Sequence, residues 1–223
     1  MSRDYFRLVK KTFGPFMIEH LKDRPITYVE IGCWLGGSAS FVAEHCLHHP
    51  DSRGYGIDPY TELRRGSVGR MKHDEEQMAI VKETARERLA ATGANWTWIY
   101  EPSISALTNW SHGTIDALYV DGLHEAHSAL LDFTLAWPYL SDGAIVIFDD
   151  VKDYKHFAHV REAVNAVQMC FGSLLERLPV ETTKQAYFKV RSKEIDQQWW
   201  DDQVNGAWCN RALITKACEQ CTK

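Results

Sequence analysis

Ile26-Thr-Tyr-Val-Glu-Ile-Gly-Cys-Trp-Leu-Gly-Gly-Ser38 opens as an apolar, β-branched run and ends in a turn with glycine at 32, 36 and 37. The run suits a buried strand, and a helix is expected from Ser38 to about Leu47. Strand, glycine turn and helix start make a nucleotide-type site. Bare backbone lets a ligand approach, and the helix start offers free N–H groups. The spacing is Glu30-x-Gly32-x-x-x-Gly36-x-Ser38 rather than the G-x-G-x-x-G of a dinucleotide fold. An acid at this strand end repels a pyrophosphate and suits a ligand with an ammonium or sulfonium charge.

Outward from this stretch, strands and helices alternate. Residues 4–22 read as a helix interrupted near Gly14-Pro15. Gly54 to Asp58 reads as a second strand, and Asp58 stands where such folds grip a ribose. The basic, glycine-containing segment 62–73 reads as a loop over the site. Asp74 is the expected N-cap of a helix with the stripe Met78, Val81, Ala85 and Leu89. Further strands are expected at 95–100, 115–120 and 144–148, with helices near 126–137 and 157–171. A closing pair of strands is expected at 174–180 and 185–190. The pattern predicts an α/β fold: a doubly wound, mostly parallel, seven-stranded Rossmann-like sheet, helices on both faces, the last strand antiparallel. One domain is expected over 1–223, with a helical cap at 1–24, a core at 25–192 and a helical extension at 193–223. In that extension Trp200, Val204 and Trp208 share a helical face, which reads as a core cap or as a contact in a homo-oligomer.

Composition narrows the function. Of 223 residues, 45% are hydrophobic and the formal charge is −5, which argues against a general nucleic-acid or membrane-surface binder. No apolar run reaches membrane-spanning length, and Met1 to Lys11 lacks a signal-peptide core, so a cytoplasmic protein is expected. The six cysteines read as reduced thiols. Cys209, Cys218 and Cys221 make an incomplete zinc set, with no histidine after His159. His45, His48 and His49 read as helix-end residues.

Glu30, Asp58, Asp121, Asp149 and Asp150 all fall at expected strand C-termini, so they converge on one sheet edge. Carboxylates so gathered repel one another unless cations are bound among them. Glu30 and Asp58 suit a positively charged cofactor. Asp121, Asp149 and Asp150 offer hard oxygen ligands that suit Mg2+.

The 26–38 stretch resembles motif I of the class I S-adenosylmethionine-dependent methyltransferases. Asp121-Gly-x-His124, then Asp132, Gly143 and the strand ending Phe-Asp149-Asp150 resemble macrocin-type small-molecule O-methyltransferases, related to those of the cephalosporin pathway. The resemblance covers about residues 26–165. It implies S-adenosylmethionine bound by Glu30, Gly32, Cys33, Gly36, Ser38, Asp58, Ser103 and Asp121, with Ser103 near the adenine. It also implies magnesium on Asp121, Asp149 and Asp150. The proton of a small-molecule hydroxyl acceptor would pass to His124 or Asp121. Ala126 and Ala144 depart from the family pattern, the first on the substrate side. A nicotinamide dehydrogenase lacks its glycine motif here. A metal-independent or N-methylating enzyme, or a non-catalytic nucleotide-binding module, remains the alternative.

Overall fold

The computed structural model of this protein describes residues 6–61, 74–151, 158–180 and 184–193. The basic loop 62–73, Phe157 and the tryptophans and cysteines beyond residue 193 lie outside the described residues. The chain divides into a unit Met1–Arg191 and a C-terminal unit Ser192–Lys223.

In the first unit a 3-10 turn at Phe6–Leu8 precedes α1 (Lys10–Leu21), β1 (Thr27–Ile31), α2 (Gly37–Cys46) and β2 (Arg53–Ile57). Next come α3 (Glu75–Thr92), β3 (Trp96–Ile99), α4 (Ser103–Thr108), β4 (Ile115–Val120) and α5 (Ala126–Ala136). The unit closes with β5 (Leu140–Phe148), α6 (Ala158–Phe171), β6 (Leu175–Arg177) and β7 (Ala186–Val190). The seven strands lie in the order β3-β2-β1-β4-β5-β7-β6. Strands β1 to β5 pair in parallel, and β7 runs antiparallel to both neighbours. The expected mixed, mostly parallel sheet is therefore observed. The chain starts in the middle of the sheet and reverses direction between β1 and β4, so a crevice opens beyond their carboxyl ends.

The period-2 alternation of strand side chains divides the core in two. Tyr28, Ala117, Tyr119 and Ile145 face α1 and α2, packing with Phe13, Met17, Phe41 and Val42. Val29, Leu118, Val120 and Val146 face the other way, onto Leu107, Phe133 and Val164 of α4, α5 and α6. Burial on both faces is why these strands read as unbroken apolar runs. Asp116 interrupts one run because its carboxylate accepts the Thr27 N–H at 2.9 Å and the Ser141 hydroxyl at 2.8 Å, tying three strand starts together.

Three elements differ from expectation. Helix α1 runs through Gly14-Pro15 without a break. Gly14 serves packing: a Cβ there would lie 2.8 Å from the Phe41 ring. Strand β5 begins at Leu140, four residues early, because a bulge carrying Gly143 (φ +79°) lies between the Leu140 and Ile145 pairings. Helix α4 is only six residues long, too short for a periodic signal. None of the described helices is long and apolar enough to cross a membrane.

Candidate active site

Gly32 leaves β1 at φ +82°, and a Cβ on it would stand 2.1 Å from the Asp121 carbonyl oxygen. Only glycine lets the turn after β1 lie against the turn after β4. Gly36 (φ +70°) begins α2, and its bare side faces Ala85 and Leu89 of α3, where a Cβ would meet atoms at 3.1 Å. Its place is between helices, not on the cavity wall.

Glu30 lies beneath this cradle with no exposed surface. It accepts the Ser38 hydroxyl at 2.6 Å and the Tyr28 hydroxyl at 2.6 Å. Burial pushes its carboxyl up to about 7, against the pull of those two bonds. Ser38 and Cys33 line the cavity above it, whereas the Glu30 carboxylate turns toward β1 and α2. The buried Cys33 thiol donates to the Glu30 carbonyl at 3.6 Å.

Asp58, at the end of β2, holds the same cradle from the side. One oxygen accepts the N–H groups of Cys33 (3.0 Å) and Trp34 (3.1 Å), and the other accepts that of Tyr60 (2.9 Å). Trp34 and Tyr60 both sit at φ +47°, a region aromatic side chains seldom enter. The Tyr60 hydroxyl closes the arrangement on the Trp34 carbonyl at 3.0 Å. Asp58 lines the cavity, and a carboxylate with about four acceptor sites retains capacity for a ligand hydroxyl.

Beyond β4 and β5 the acids gather. His124 Nδ1 stands 3.2 Å from Asp150 Oδ2, and Nε2 stands 3.7 Å from Asp121 Oδ1. One ligand atom from each of Asp121, His124 and Asp150 lies within 4.8 Å of the others, a spacing that suits a metal ion. Burial first, then the Asp149 and Asp150 carboxylates, hold the Asp121 carboxyl well above its usual range. The expected metal trio was Asp121, Asp149 and Asp150, but the group that converges has His124 in place of Asp149. Asp149 lines the same cavity, where the Tyr119 hydroxyl donates to its Oδ2 at 2.5 Å and the Asp150 N–H donates to its Oδ1 at 2.7 Å. Gln185 donates to the Tyr119 oxygen at 3.2 Å and accepts from Tyr187 at 2.5 Å. Asp149 is thereby engaged on both oxygens, and burial pushes its carboxyl up to about 6.

At the α4 and α5 wall, Ser103 lines the cavity with its hydroxyl on Asp132. Sequence reasoning singled out Asp132 only as part of a family pattern. The signal that could have marked it further is its position on the buried face of α5 with Ala129, Phe133 and Ala136. The cavity joining these groups has a volume of about 870 Å³, within the roughly 300–1,000 Å³ of small-molecule sites.

The methyltransferase-domain family matches residues 29–151, more than half of the chain, and the chain belongs to that family. A protein of Acanthamoeba polyphaga mimivirus without assigned function is 28% identical over 144 residues, 64% of this chain and 59% of that protein, so the chain matches less than two thirds of that relative's length. The fold resembles that of the O-methyltransferase NovP, with a TM-score of 0.62 and 17% identity over 83% of this chain and 79% of that one. It also resembles TomG of Streptomyces achromogenes, an O-methyltransferase of tomaymycin synthesis solved in complex with SAM. There the TM-score is 0.59 and the identity 18%, over 86% of this chain and 82% of that one.

Proposed function

We propose that this chain transfers the methyl group of S-adenosylmethionine to a hydroxyl of a small molecule. The observation that carries the reading is one continuous cavity. It runs from the Gly32 cradle and Asp58 to His124, with buried carboxylates along it. These suit the cofactor: the glycine turn at Gly32 and Asp58 line the cavity together, and carboxylates gathered along it favour a cationic ligand. When bound, the cofactor supplies the electrophilic methyl. The chain supplies position and a base. His124 Nδ1 lies 3.2 Å from Asp150 Oδ2, and the imidazole takes the acceptor's proton, a step worth about 10²–10⁴ in rate. Placing acceptor and donor in line contributes much of the remainder.

A second reading, cation assistance, is favoured by the convergence of Asp121, His124 and Asp150. These three would hold a divalent ion, which would supply Lewis acidity to the acceptor hydroxyl. The imidazole widens the choice from magnesium toward manganese. His124 would then be a ligand rather than the free base of the first reading. The test has two stages. Calorimetry should show binding of S-adenosylhomocysteine, and absence of binding ends the reading. Methyl transfer to a panel of sugars, glycosides and catechols, with and without chelator, then separates the two versions. Binding without turnover on any class would indicate a non-catalytic module.

A further inference from the structure

Gln185 does not line the cavity, yet the turn after β5 leans on its side chain. It is 5% exposed and leads directly into β7. Its contacts run in one direction. An ionised carboxylate only accepts hydrogen bonds, and a phenol has a single proton to give. Tyr119 gives its proton to Asp149 Oδ2 at 2.5 Å, so its oxygen accepts from Gln185 Nε2 at 3.2 Å. The amide is thereby oriented, and its Oε1 accepts from the Tyr187 hydroxyl at 2.5 Å. The chain of bonds ends on the backbone, where Asp149 Oδ1 accepts the Asp150 N–H at 2.7 Å. A second tie comes from the residue before Gln185: the Lys184 carbonyl accepts the Val151 N–H at 2.7 Å. Asp150 is held between these two ties at φ +52°, a region that residues other than glycine seldom enter. Its carboxylate stands 3.2 Å from His124 Nδ1.

We propose that Gln185 is a positioning residue for methyl transfer: acting through Tyr119 and Asp149, it holds the Asp150 carboxylate beside His124. The inference rests on the reading of His124 as the base. Without the amide donor, Tyr119 loses the partner that aims its proton at Asp149, and the turn keeps only its Lys184 tie. A strained backbone persists only where its surroundings hold it, so Asp150 relaxes and carries its carboxylate away from the imidazole. Gln185 lies off the cavity wall, so its loss falls on turnover and not on binding.

The experiment compares Gln185→Met with the wild-type full chain, using whichever acceptor of the sugar, glycoside and catechol panel is methylated fastest. kcat should fall by about 10–100-fold, the usual effect of losing a supporting hydrogen bond. KM for that acceptor and the affinity for S-adenosylhomocysteine should stay within about twofold. In a Tyr119→Phe background the same substitution should add no further loss, because both act through one bond. A crystal structure of Gln185→Met should place His124 Nδ1 and Asp150 Oδ2 more than about 4 Å apart, beyond ion-pair range. Tyr187→Phe, which frees the amide to turn over, should give a smaller loss of the same kind and replaces Gln185→Met if that variant does not fold. Gly93→Ala strains a helix end off the cavity wall and should melt lower at wild-type turnover, which separates lost stability from lost position. Unchanged kcat in Gln185→Met overturns the proposal, as does a loss that lies wholly in KM or a full further loss in the Tyr119→Phe background. An unmoved Asp150 overturns it whatever the kinetics. If His124→Ala keeps wild-type turnover, the base reading itself has failed. In that case, or where the panel yields no acceptor, the distance between His124 and Asp150 in Gln185→Met decides the positioning by itself.

Discussion

The Tyr119 hydroxyl donates to Asp149 at 2.5 Å, and this bond divides the acid pair after β5 into two jobs. Asp149 is anchored on the cavity wall, with its second oxygen on the Asp150 N–H. Asp150, at φ +52°, turns its carboxylate to His124. The residues behind the anchor, Gln185 and Tyr187, come from the β7 side of the sheet.

Tyr119→Phe should destabilise the fold by about 1.5–3 kcal/mol, the range for a hydrogen bond to a charged group. The loss should depend on pH. With its carboxyl at about 6, Asp149 is protonated at pH 5 and ionised at pH 8. The bond is charge-assisted only in the second case, so the gap between wild type and variant widens as pH rises. Urea unfolding at pH 5 and pH 8 measures it, and equal gaps would show that the Asp149 charge does not depend on Tyr119.

Stability of the free protein should fall as pH rises through the acid range. Glu30 stands at about 7 against 4.5 in the free amino acid, and Asp132 at about 6 against 3.8. The folded state therefore binds protons that the unfolded state has released. This contribution is full below about pH 4 and is lost by about pH 7. Glu30 alone accounts for roughly 3 kcal/mol, since each tenfold change in proton affinity is worth about 1.4 kcal/mol. The opposing downward shift at Glu83 belongs to a surface pair with Arg86 and is worth little. Unfolding free energies should be higher at pH 5 than at pH 8, and the reverse order would mean that Glu30 is ionised in the folded chain at pH 5.

Gly32→Ala should cost roughly 2–5 kcal/mol, combining a left-handed backbone with an overpacked contact on the Asp121 carbonyl. Gly93→Ala is the control. It has φ +68° but nothing within 4 Å of the added methyl, so only the backbone cost of about 1–2 kcal/mol applies. Chemical unfolding of the two variants should separate them clearly.

His124→Ala should lower methyl transfer by about 10²–10⁴ while S-adenosylhomocysteine affinity stays near the wild-type value. Turnover with the acceptor found by screening, and calorimetry with the product, are the two measurements. Collapse of both together would mark His124 as a support for the turn after β4. Where chelation also abolishes turnover, the cation-assisted version of the mechanism is the one in force.

The order of elements was legible because β1, β4 and β5 are apolar on both faces and alternate with helical stripes such as Met78, Val81, Ala85 and Leu89. The gathering of Asp58, Asp121, Asp149 and Asp150 at one sheet edge followed from their places at strand ends. What each carboxylate does there was not legible. The duty of Asp149 depends on Tyr119 and Gln185, which lie 30 residues before it and beyond α6, respectively. Pro15 misled because a proline in a helix is normally read through its missing donor, whereas here the fit of Gly14 against Phe41 holds the turn. Asp132 was legible only as part of a family pattern, because a lone acid in an amphipathic helix reads as solvated until the face it occupies is known.

Asp58 grips the N–H groups of Cys33, Trp34 and Tyr60 in the free chain, so this wall of the cavity has its final shape before any ligand arrives. The ordering entropy of the turn belongs to folding, and little of it is left to oppose association. A ligand meeting this wall should therefore dock in one step, its observed on-rate climbing in proportion to concentration without the plateau that a slow rearrangement imposes.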